Sequence, residues 1–163
     1  MTLLILFATL FINLGEASHI SREQSDAMNR EFMIQLRTQE IRASEFTPEL
    51  LWEYLRMAGI QHKDIVYRQA VLETGWFRSG SFTEYNNLFG MKVPKMRTNK
   101  VGGEGYGHAS YSHWTESVDD YKLWQDYRQV HPNIDYYGFL DRVGYATAKN
   151  YIRTLKQIDV LIL

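Results

Sequence analysis

The sequence predicts a mainly α fold carrying one small β-hairpin or loop lobe. Three observations predict it. Helical apolar spacing, with recognisable starts and stops, recurs on both sides of the chain's middle. That periodicity vanishes between Asn86 and about Ser112, where glycines gather in "VGGEGYGHASY". The 163 residues, 45% hydrophobic and 23% charged, are one ordinary globular domain's worth of chain.

The elements follow in order. "MTLLILFATLFINLGEASHIS" opens with an unbroken apolar run from Leu3 to Ile12, too short to span a bilayer comfortably and of the length of a secretory h-region. Gly15 and Ala17 place small residues for a cut after Ala17, although no Lys or Arg precedes the run. The readings are a cleaved signal at residues 1–17, an uncleaved anchor, or a misassigned start. Cleavage removes only Glu16 among charged groups, so the formal charge moves from −1 to 0. No stable membrane span is expected after that removal. Export to the periplasm or the extracellular envelope follows from the first reading. With no cysteine anywhere, an exported chain has no disulfides and must rest on its core.

Ser21 to Ala43 reads as a long polar helix with a narrow stripe at Met28, Phe32 and Leu36. Thr47-Pro48 opens a second helix, threonine capping and proline in the first turn, which stops at Gly59. A third runs from His62 to about Thr74 and carries Glu73 among Ile65, Val66, Ala70, Val71 and Leu72. Residues 86–112 hold a basic loop (Lys92, Lys95, Arg97, Lys100), read as a functional loop or hairpin or simply a solvated face. Thr115 is expected to cap the next helix, "ESVDDYKLWQDYRQ". Pro132-Asn133 breaks the chain. A short helix "YYGFLDRV" and a last one from Thr147, with Tyr151, Ile152, Leu155 and Ile158 at core spacing, finish it.

Aromatic residues make up 14%, including 11 tyrosines and 4 tryptophans, which suits either core packing or a groove that stacks sugars or bases. A formal charge of −1 with no long Lys/Arg run argues against nucleic acid. His19, His62, His108, His113 and His131 never fall into paired-ligand spacing, so no metal is expected. There is no G-x-S-x-G, no Cys–His scheme and no phosphate-binding glycine loop, and no cofactor is implied. Carboxylate chemistry remains. Val66, Ala70, Glu73 and Phe77 share one helical face, so Glu73 beside Trp76 is either a desolvated general acid or a glutamate paired with Arg68 or Arg78.

The stretch "QAVLETGWFRSGSFTEYNNLFGMK" resembles the core of the glucosaminidase family of bacterial peptidoglycan hydrolases, glycoside hydrolase family 73. "ASYSHWTESVDDYKLW" and "FLDRVGYATAKNYIRTLKQI" are similar to its later blocks, in order, over about residues 48–158. The resemblance implies a lysozyme-like α+β fold with a small β-hairpin lobe, acting on peptidoglycan glycan strands at the β-1,4 bond after N-acetylglucosamine. It divides the chain into the signal segment, a helical extension at 18–46 and the glucosaminidase domain at 47–163. It implies Glu73 as general acid and Tyr145, of Gly-Tyr-Ala-Thr, as a substrate-facing catalytic residue. Trp76, Asn86, Asn87, Phe89 and Tyr111 are the implied substrate-binding set. The sequence departs from the family at the second carboxylate. Glu104 is the only acidic residue between Glu84 and Glu116, and its surroundings in "GGEGYG" do not match the family's motif. Without it, the substrate's own acetamido group is the alternative nucleophile. A lytic transglycosylase of the same fold and a non-catalytic wall-binding module are the competing readings.

Overall fold

A computed structural model describes residues 21–105 and 107–159. The leader at 1–17 and an amino terminus at Ser18 lie outside the described residues. The chain divides into two compact units, the first ending at Arg37 and the second beginning at Thr38.

Helix α1 (Arg22–Ala43) starts with a reciprocal cap: Gln24 N–H donates to Ser21 Oγ at 3.2 Å, and Ser21 N–H to Gln24 Oε1 at 2.9 Å. Its Ile41 is fully buried in the second unit. α2 (Pro48–Met57) begins as predicted, with Thr47 Oγ1 accepting from Leu50 N–H at 3.2 Å and Pro48 in the first turn. It buries Leu51, Tyr54 and Leu55.

α3 (Lys63–Glu73) is the central helix, packed by α2 on one side and by the last helix on another. Buried residues occur all round it, Ile65, Val66, Tyr67, Gln69, Ala70 and Val71, as a helix enclosed by others requires. A single turn, α4 (Gly80–Thr83), follows. Strands β1 (Gly103–Gly105) and β2 (His108–Ser110) then form the small antiparallel hairpin, in register Gly103↔Ser110, Glu104↔Ala109 and Gly105↔His108. Gly105 has no room for a side chain, because a Cβ there would stand 2.3 Å from the Tyr85 ring.

α5 (Trp114–Tyr127) is capped by His113, whose ring accepts from Thr115 N–H at 3.2 Å. The helix therefore starts before Thr115, which lies inside the first turn instead of capping it. α6 (Tyr136–Arg142) is capped by Asp135, and α7 (Tyr151–Gln157) starts after Asn150 rather than at Thr147. The helices close around Leu51, Leu55, Val66, Leu88, Val118 and Leu155. Much of the aromatic excess is core. Phe46, for instance, meets Phe77, Phe82 and Trp114 at centroid distances of 5.0, 4.7 and 5.4 Å. The fold is thus mainly α with a small two-stranded lobe, lysozyme-like in class.

Candidate active site

The site begins where α3 ends. After Glu73 and Thr74, three consecutive residues, Gly75, Trp76 and Phe77, have φ of 53°, 59° and 62°. Glycine tolerates that region, whereas tryptophan and phenylalanine enter it at a cost. Thr74 holds the turn: its Oγ1 donates to Ala70 O and accepts from Phe77 N–H, and its carbonyl accepts from Arg78 and Ser79 N–H. This left-handed turn takes Phe77 off the α3 face, where helical spacing had placed it with Glu73. It also leaves Trp76 61% exposed.

A second loop supplies the wall beside Glu73. Asn87, buried, uses its whole amide: Nδ2 donates to Met91 O (2.9 Å) and Ala109 O (2.7 Å), while Oδ1 accepts from Phe89 N–H (3.2 Å) and Met91 N–H (3.1 Å). The loop from Asn87 to Met91 is thereby tied to β2. Asn86, at φ 54°, donates from Nδ2 to Tyr111 O at 3.0 Å. These bonds present Gly90 to the carboxyl, and a Cβ at Gly90 would come within 3.1 Å of Glu73 Oε2. Its φ of 62° is a second reason for glycine at that position.

Glu73 is half-buried beside this loop. Burial pushes its carboxyl above the ordinary carboxylate range, while a hydrogen bond from Tyr151 and the charge of His108 pull in the other direction. The upward push wins. Tyr151 also accepts from Gln69 Nε2 at 3.3 Å, and Gln69 Oε1 accepts from Tyr121 O–H at 2.7 Å. Glu73 therefore stands at the open end of a buried hydrogen-bonded chain. Arg68, a possible partner for Glu73 on sequence spacing, donates instead to Ile158 O.

A cleft of about 830 Å³ contains Glu73. Phe89, Trp124, Tyr145 and Tyr151 give it an aromatic lining, and His108 reaches it from β2. Tyr145 O–H donates to Phe89 O at 2.8 Å, and its ring meets Trp124 edge-on at 5.4 Å. Of the site residues expected from sequence, Glu73, Phe89 and Tyr145 come together here. Asn86 and Asn87 act behind the wall through the bonds described. Tyr111 is buried with its hydroxyl on Asp120 Oδ2 at 3.0 Å, and neither it nor Trp76 is among the lining residues. Glu104 is exposed on β1, opposite Ala109, and also lies outside the lining. Side-chain alternation puts it on the face away from His108.

Sequence reasoning missed Tyr151 as a partner of Glu73, having read it only as core spacing, and missed Trp124 and His108 as cleft residues. The basic loop is anchored rather than merely solvated: Arg97 makes a two-pronged ion pair with Asp120, at 2.7 and 2.8 Å, with side chains 7% and 0% exposed. No group of three or more potential metal ligands occurs among the described residues.

Neither the curated proteins nor the solved structures include a match to this chain. The glucosaminidase family model, described as mannosyl-glycoprotein endo-beta-N-acetylglucosaminidase, matches residues 49–159, a span that takes in Glu73, the Asn87 loop, the hairpin and Tyr145. By that match over more than half of its length, the chain belongs to the glucosaminidase family.

Proposed function

We propose that this glycoside-hydrolase domain cleaves the β-1,4 bond after N-acetylglucosamine in peptidoglycan, with Glu73 as the general acid. The observation that carries the reading is the half-buried carboxyl of Glu73 in an aromatic cleft, where desolvation raises its pKa, the direction a proton donor needs. Phe89, Trp124 and Tyr145 offer ring faces and edges for the sugars. Gly90 leaves space at the carboxyl for the glycosidic oxygen.

Two groups are competent to act on the far side of the sugar. One is Glu104, on the hairpin whose other strand contributes His108 to the wall, with its side chain on the opposite face from His108. The other is the substrate's own acetamido oxygen, which the exposed, outward placement of Glu104 favours. Export, with a mature chain starting at Ser18, belongs to the same proposal and is checked by sequencing the amino terminus of the native protein.

The test is digestion of purified peptidoglycan with mass analysis of the fragments. Hydrolysis leaves reducing N-acetylglucosamine ends, whereas a transglycosylase leaves anhydro products lighter by one water. Glu73→Gln should lower the rate by about 10²–10⁴-fold. A variant keeping a tenth of the wild-type rate removes Glu73 from the role. Glu104→Gln should cut turnover strongly if it is the second carboxylate, and leave it near normal if the acetamido group serves.

A further inference from the structure

The charge of the cleft is one-sided. Its lining holds one carboxyl, Glu73, against three full cations, Lys92, Arg97 and Arg128. Asp120 neutralises Arg97. Glu73, even fully ionised, offsets only one of the two remaining positive charges, so the lining stays net positive. Lys92 and Arg128 are left over. Both are exposed, and among the described residues neither has a carboxylate partner; Arg128 lies over the Tyr127 ring at 5.9 Å.

The two cations come from separate elements. Lys92 follows Gly90 by two residues, on the loop that Asn87 ties down. Arg128 ends α5, where the helix dipole alone would favour a cation. That explanation does not extend to Lys92, nor to both reaching one cleft. A neutral chain of N-acetylglucosamine presents only hydroxyls and amides, which give two ammonium and guanidinium groups no counter-charge. Muramic acid units bring carboxylates, either on the lactyl ether or on the stem peptide attached through it.

Resting on the glucosaminidase reading, we propose that Lys92 and Arg128 are specificity-determining residues that select glycan strands bearing carboxylates. They act on encounter and orientation at the rim, not on the reacting bond. Their contribution therefore falls as salt rises and appears in KM more than in kcat.

The experiment uses soluble, un-cross-linked peptidoglycan strands in three forms. One is untreated, one has its carboxyls capped as neutral amides, and one has its stem peptides removed by an amidase to expose lactyl carboxylates. Wild type should cleave the capped strands with a kcat/KM about fivefold or more below that for untreated strands, most of it in KM. Lys92→Gln/Arg128→Gln should lose the same factor on untreated strands and be indifferent to capping. The peptide-free strands show which carboxylates are read: a kcat/KM there matching untreated strands means that a lactyl carboxylate serves as well as those of the stem peptide, and one as low as on capped strands confines the selection to the stem peptide. A double variant that still prefers untreated strands as strongly as wild type overturns the proposal, as does a wild type blind to capping. If wild type cleaves none of the three forms, the glucosaminidase reading itself fails, a result separate from either.

Discussion

Glu73 is set by opposing influences of unequal size, and each can be removed alone. Burial raises its pKa, Tyr151 lowers it by donating to the carboxylate, and His108 lowers it by charge; Tyr145, Lys92, Arg97 and Arg128 are the other titratable groups lining the cleft. Tyr151→Phe deletes one lowering influence, so the proton should be held to higher pH. Activity that needs the protonated acid falls as pH rises through its pKa, so the alkaline limb of the kcat/KM profile should move upward. The same change leaves Gln69 Nε2 without its acceptor, at a stability cost of about 1–3 kcal/mol. A purely structural role for Tyr151 would show the stability loss without moving the limb, and the pH profile separates the two. Linkage gives a second expectation. A carboxyl whose folded pKa lies above its ordinary 4.5 contributes stability below that pH and loses it as pH rises towards the folded value. Glu73→Gln does not titrate. It should melt with the wild type at acidic pH and above it near neutrality, as thermal scans across the pH range will show.

At the scale of elements, what could be read in advance followed from how local each cause was. Thr47-Pro48 caps α2 through bonds within four residues, and sequence places it correctly. The α5 start was missed by a short distance because a histidine ring does the capping that threonine usually does. The turn after Glu73 could not be read, since Trp76 and Phe77 are among the residues least expected at positive φ. The resemblance implies Asn87 as substrate-binding, yet its amide is spent on its own loop and on Ala109 of β2, which lies 22 residues away in sequence. Tyr151 reaches Glu73 because α7 packs on α3, a pairing that periodicity does not encode. The basic loop belongs to the same class of hidden cause. Its four positive charges look solvated in sequence, yet Arg97 is pinned by Asp120, which also accepts from Lys100 N–H at 3.2 Å and from Tyr111 O–H. Arg97→Met leaves the fully buried Asp120 carboxylate without its counter-charge. Breaking such a pair costs about 3–5 kcal/mol. Urea unfolding should register that loss, together with weaker selection of carboxylated strands as the Lys92 segment loosens. A change under about 1 kcal/mol would mean the pair contributes no more than an exposed one.

At the scale of the whole molecule, the question is where the catalytic body begins. The family match starts at residue 49, and motif spacing suggests a domain from Thr47. The packing suggests an earlier start. Ile41 is fully buried in the second unit, Arg42 Nε donates to Thr115 Oγ1 at 3.2 Å, and its Nη2 pairs with Asp119 at 3.3 Å. Asp119 also accepts from Tyr54 O–H at 3.0 Å, so α1, α2 and α5 meet at one set of polar contacts above the buried isoleucine. A chain beginning at Thr38 keeps all of these. One beginning at Thr47 loses Ile41 and exposes the hollow it filled, which for a large aliphatic side chain costs about 2–5 kcal/mol. The exposed Arg42 pair adds little to that. We therefore expect the chain from Thr38 to unfold at nearly the same urea concentration as the chain from Ser18, and the chain from Thr47 to unfold well below it. Both should retain Glu73 chemistry under folding conditions, because the cleft is lined from Leu72 onward. If the chain from Thr47 proves as stable as the longer one, Ile41 is dispensable packing and the domain begins where the motif does.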